Sequence, residues 1–239
     1  MSLKTALQVS LRQRYVDYIL RYGWLTVVVL AGVWYYAISE APSEKHQGDV
    51  YRIIYVHVPS AFCAFFAAFL LLVQSIKGLV NTHHSTHVLW GKALAEIGLL
   101  CTFLTLITGS LWGRPTWGVW WTWDARLTTT LILGLLYVAY LLLWNAMSSP
   151  AEKSKACGVL GILIALDVPI IYKSVTWWRT LHQPPSLFTD QNVMAPQIKT
   201  LLFVCIFSLL AVMIFFSFRR FYNLKLEMQL KAQAISEFS

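Results

Sequence analysis

The chain has 239 residues, of which 57% are hydrophobic and 13% charged, and its mean hydropathy is +0.58. A soluble domain carries about 25% charged residues. This composition therefore excludes a water-soluble globule, a disordered chain, a disulfide scaffold and a collagen-like fibre, and leaves an integral membrane protein. The net charge of +8, from 19 Lys+Arg against 11 Asp+Glu, falls in the gaps between apolar runs. That placement suits membrane orientation rather than nucleic-acid binding.

Six apolar runs predict an all-α bundle of six transmembrane helices in one membrane domain spanning 1–239. They cover about 22–38, 53–73, 93–112, 127–144, 158–172 and 200–218. Run five is the shortest and contains Asp167 and Pro169. Twelve of the Lys and Arg residues lie on the side of the termini and seven on the other. The excess places tails 1–21 and 219–239 in the cytoplasm and the alternate loops in the periplasm or its equivalent. The N-terminus does not read as a cleavable signal, because 21 largely polar and basic residues precede run one and Pro42 follows the only small-residue site. Cys63, Cys101, Cys157 and Cys205 each fall in or beside a separate run, without CxxC or CxxCH, and read as small buried hydrophobes.

In chain order, the first outer loop holds His46, which reads as solvated among Glu44, Lys45 and Asp49, and leads to His57 about one turn into run two. A histidine inside an apolar run needs a partner. The cytoplasmic loop with His83, His84 and His87 reads as polar and solvated. Glu96, near the cytoplasmic end of run three, can reach the interface. Asp167 lies deeper. Each costs about 2.5–3.5 kcal/mol at a helix centre unless paired, and either could engage a small partner helix.

The second outer loop, 112–128, contains Trp112, Trp117, Trp120, Trp121 and Trp123: five of the 11 tryptophans in 12 residues. One or two would serve as interfacial anchors, whereas five around two glycines and a proline suggest a shelf for a large planar apolar ligand. Asp124 is expected to stiffen the loop by holding Arg126 or an indole N–H. The third outer loop carries Trp177, Trp178, Arg179 and His182. With six spans these three loops share one membrane face, so His57, His182 and the tryptophan shelf can converge. Imidazole suits haem iron, and Arg114, Arg126, Arg179 and Arg52 lie on the face where the propionates would be met.

The segment Trp112-Gly113-Arg114-Pro115-Thr116-Trp117-Gly118-Val119-Trp120-Trp121-Thr122-Trp123-Asp124-Ala125-Arg126-Leu127-Thr128 resembles the signature of the WWD family of haem-handling proteins. Val56-His57-Val58-Pro59-Ser60-Ala61 and Trp177-Trp178-Arg179-Thr180-Leu181-His182-Gln183-Pro184 resemble that family's histidine segments. Length and span number match its short branch, CcmC, of bacterial cytochrome c maturation. The resemblance implies a six-helix bundle with axial ligation of haem b (iron protoporphyrin IX) by His57 and His182. It also implies presentation of haem to the periplasmic chaperone CcmE, alongside the CcmA/CcmB ABC assembly and the small membrane protein CcmD. The chain lacks GxxxxGK[ST], so any ATPase belongs to a partner and the chain is expected to be a carrier, not an enzyme. Two other readings remain at this point: an electron-transferring b-type cytochrome, whose ligands usually lie deep in facing spans, and a transporter permease, whose site lies near the midplane.

Overall fold

The computed structural model describes residues 3–82, 85–183, 187 and 194–238. It contains six long helices: α1 (Leu3–Ser39), α2 (Ile54–Val80), α3 (Ser85–Trp117), α4 (Ala125–Ala146), α5 (Pro150–Trp177) and α6 (Pro196–Phe238). A 3₁₀ segment, Asp49–Ile53, runs directly into α2. Each helix contains a stretch long and apolar enough to cross a membrane. The six runs are therefore the six helices of a multi-pass bundle.

The helices outrun the apolar stretches that signalled them. The first span continues a helix that begins at Leu3, and α6 extends past its apolar part to Phe238. The fifth run covers only the apolar middle of a 28-residue helix. Its true start is set by Ser149, which accepts the Glu152 N–H, with Glu152 bonding back to the Ser149 N–H: a capping box with Pro150 in the first turn.

Helix α2 is central and packs on α3, α5 and α6, while α1 lies mainly along α6. The core holds Leu71, Leu94, Leu133, Tyr137, Ile164 and Ile171. Tyr137 cannot leave its hydroxyl unpaired there, and donates it to the Ala64 carbonyl at 3.0 Å. The outward faces are also apolar, with Leu25, Val28, Phe69, Phe103, Leu142 and Phe207 exposed. That surface suits lipid, because helices satisfy their backbone groups internally and need no water at their flanks. All four cysteines are buried and free.

At the end opposite the outer loops, Glu96 does reach a partner, but within the chain. Arg220 donates to it from Nε at 2.5 Å and Nη2 at 3.0 Å. Asp167 is 7% exposed, and its Oδ2 has no hydrogen-bond partner among the described residues. His46 is exposed as expected. His87 is instead half-buried in the first turn of α3, its Nδ1 3.0 Å from Gln74 Oε1. His83 and His84 lie outside the described residues.

Candidate functional site

The start of α2, the end of α3, the start of α4 and the end of α5 meet at one end of the bundle around a cavity of about 310 Å³. That volume is in the range of small-molecule sites. His57 and His182 both line it, with ring centres 6.4 Å apart and planes 33° apart. The parity of the spans thus brings together two residues 125 positions apart in sequence.

His57 is held by α3. Its Nδ1 lies 3.1 Å from Thr108 Oγ1, and the Thr108 hydroxyl donates to the Leu104 carbonyl at 2.6 Å. The hydroxyl proton is engaged, so its oxygen accepts from His57 Nδ1–H, and the Nε2 lone pair is left free. Gly109 makes room for the ring: a Cβ there would lie 3.0 Å from His57 Cε1. Trp112 packs edge-on against the same imidazole at 5.8 Å, its own N–H donated to Gln47 Oε1 at 2.7 Å.

His182 lies in the short stretch after α5. Its Nδ1 is 2.8 Å from the Gln183 carbonyl, which can only accept, so Nδ1 carries the proton and Nε2 is again free. Burial, followed by the positive charge of Arg126, pushes the His182 imidazole down from 6.5 to about 4. It is therefore neutral at physiological pH.

Asp124 links the two loops rather than holding Arg126 or an indole. Oδ1 caps α4 by accepting the Leu127 N–H at 2.9 Å, and Oδ2 accepts the Thr180 hydroxyl at 2.8 Å and the Leu181 N–H at 3.3 Å. Thr180 Oγ1 in turn accepts the His182 N–H at 3.0 Å. Among the described residues no salt bridge joins Asp124 to Arg126.

The expected 112–128 loop is shorter in the structure. Helix α3 continues through Pro115 to Trp117 and is closed by Gly118 at φ 79°, whose N–H bonds the Arg114 carbonyl at 3.1 Å. This divides the tryptophans. Trp112, Trp117 and Trp121 line the cavity, and the Trp117 ring centre is 6.4 Å from that of His182. Trp120 and Trp123 are 55% and 75% exposed, outside the cavity wall. The arginines divide too. Arg126 lines the cavity, and among the described residues neither its buried Nη1 nor the buried Trp121 Nε1 has a hydrogen-bond partner. Arg114 turns back to donate to the Gly118 carbonyl. Arg52 donates to the Ser39 carbonyl at 2.7 Å and sits 3.3 Å from Asp49. Arg179 is exposed and off the cavity wall.

Thr108, Gly109, Gln47 and Thr180 escape a reading of sequence alone. A threonine or glycine in an apolar helix looks like ordinary packing, and only the facing histidine gives it a role. Residues 184–186, which follow Gln183, lie outside the described residues.

Two imidazoles on opposite sides of one metal, with metal–nitrogen bonds of about 2.0 Å and about 1.2 Å from nitrogen to ring centre, would place their ring centres about 6.4 Å apart. The observed spacing matches that value. No group of three or more His, Cys, Asp or Glu surrounds a common point among the described residues, so a bare ion would lack ligands. A planar macrocycle that brings its own equatorial nitrogens would not. The orphaned donors of Arg126 and Trp121 fit an anionic, acceptor-bearing rim.

A family profile described as heme exporter protein C (CcmC) matches residues 5–236. Among relatives, the heme exporter protein C of Escherichia coli K12 is 38% identical over 90% of this chain and 87% of its own length. That of Bradyrhizobium diazoefficiens is 43% identical over 69% of this chain and 63% of its own. A putative cytochrome c biosynthesis ccmC-like mitochondrial protein of Marchantia polymorpha is 39% identical over 73% of this chain and 72% of its own. The chain belongs to the CcmC, heme exporter protein C, family.

Proposed function

We propose that the chain is a haem carrier of cytochrome c biogenesis that binds haem b between His57 and His182 and hands it to the chaperone CcmE. The observation that carries this reading is the pair of imidazoles 6.4 Å apart, each with Nδ1 engaged and Nε2 free. Two neutral imidazoles saturate the axial positions of a haem iron and suppress oxygen chemistry there. Trp112, Trp117 and Trp121 supply flat apolar contact, and Arg126 and Trp121 supply donors for propionates. Arg114 is bound to its own helix end and becomes a positioning residue of the loop. Trp120 and Trp123, exposed beside the site, are the surface offered to the chaperone.

Delivery requires one axial bond to open. His182 is the group that moves, because it sits in a link held through Asp124 and Thr180, whereas His57 is built into a helix. The site end faces the periplasm and both termini the cytoplasm, as the Lys and Arg distribution directs. CcmA/CcmB and CcmD are the expected neighbours, with ATP hydrolysis residing in the former. The single membrane domain supplies binding and orientation and no catalysis.

The test is the visible spectrum of the purified, haem-loaded protein, followed by mixing with haem-free CcmE. The native chain should show low-spin bis-imidazole bands and transfer its haem. His57→Ala and His182→Ala should lose those bands and most of their occupancy. Unchanged bands in both variants would remove the axial assignment.

A further inference from the structure

At the end of the bundle remote from the histidines, Lys92 of α3 and Lys153 of α5 converge on one ring. Each Nζ lies over the Trp144 indole of α4, 3.7 Å from its centroid. The Trp144 indole N–H, on the edge of that ring, is buried and has no hydrogen-bond partner among the described residues. The acidic groups nearby are already engaged. Glu96 is held by two hydrogen bonds from Arg220, and Glu227 accepts a third at 3.4 Å. Lys92 reaches Glu96 only at 3.9 Å, although its side chain is 14% exposed. Among the described residues Lys153 makes no salt bridge, and Lys231 of α6 adds positive charge to its surroundings. Lys153 also stands near the start of α5, where the helix dipole is positive.

These are two half-buried ammonium groups from α3 and α5, held on an indole of α4 at a membrane end, with too few acceptors. Cation–π contact fixes the two ammonium groups in place without neutralising them. Basic pockets between transmembrane helices take anionic lipid head groups. We propose that Lys92, Lys153 and Trp144 form a binding site for the phosphate of an anionic phospholipid in the leaflet opposite the histidine site.

The test is native mass spectrometry of the full chain in detergent, titrated with phosphatidylglycerol, phosphatidylcholine or inorganic phosphate. Phosphatidylglycerol should be retained. The affinity should fall about fivefold for each lysine removed, in K153Q and then K92Q/K153Q, and K92R/K153R should keep it. W144F, which narrows the aromatic face that holds both ammonium groups, provides a second reading if the double variant does not fold. Equal retention of phosphatidylcholine would overturn the proposal, as would binding of inorganic phosphate in place of lipid. So would native-like phosphatidylglycerol affinity in K153Q and W144F.

Discussion

The Thr108 hydroxyl fixes which nitrogen of His57 is available, so Thr108→Val isolates that one hydrogen bond. Valine keeps the branched shape of a side chain that is 8% exposed. The Leu104 carbonyl keeps its place in the helix, and the loss falls on His57 Nδ1–H, deprived of its side-chain acceptor at 3.1 Å. An unpaired buried donor costs about 1–3 kcal/mol, and loss of an outer-shell partner of a ligating histidine costs about 10–100-fold in affinity. The two figures agree, since tenfold is about 1.4 kcal/mol. Haem titration of the detergent-solubilised protein should show a 10–100-fold weaker Kd for Thr108→Val with the low-spin bands unchanged in type, and Thr108→Ser should restore binding. Native-like affinity in Thr108→Val, or identical loss in the valine and serine variants, would refute the assignment of the tautomer.

Gly109→Ala places a methyl 3.0 Å from His57 Cε1, so the imidazole must shift by a few tenths of an ångström. Haem affinity should fall while helical content by circular dichroism stays constant. The tryptophans should separate by place: Trp117→Ala and Trp121→Ala lower haem occupancy, whereas Trp120→Ala and Trp123→Ala leave occupancy intact and slow transfer to the chaperone, both measured from the visible spectrum. The His182 imidazole titrates near 4 when folded against 6.5 as an ordinary histidine. Unfolded chains therefore bind its proton more tightly. The stability contributed by the neutral ring is complete above pH 6.5 and is lost as pH falls towards 4. Thermal unfolding of the haem-free protein should decline over that window, and His182→Gln should decline less steeply.

Much of this was legible in the sequence. Apolar runs mark the spans because a bilayer demands length and composition together. An even number of crossings puts His57, the tryptophan loop and His182 on one face whatever the details of packing. What the runs cannot show is helix phase. That α3 passes through Pro115 and stops only at Gly118 decides that Trp112 and Trp117 point inward while Trp120 and Trp123 do not. The role of Asp124 was hidden for a related reason. Its partners Thr180 and Leu181 lie more than 50 residues away, and local sequence suggested Arg126 instead. Glu96 looked like a charge seeking the interface because Arg220 is 124 positions distant.

The most direct measurement is iron X-ray absorption fine structure on the haem-loaded native protein, with imidazole-ring scattering used to count histidine ligands. Coordination by His57 and His182 requires six nitrogens at about 2.0 Å, two of them from imidazole rings, and one ring fewer in either His57→Ala or His182→Ala. A five-coordinate iron, a single imidazole, or an unchanged ring count in either variant would contradict the account.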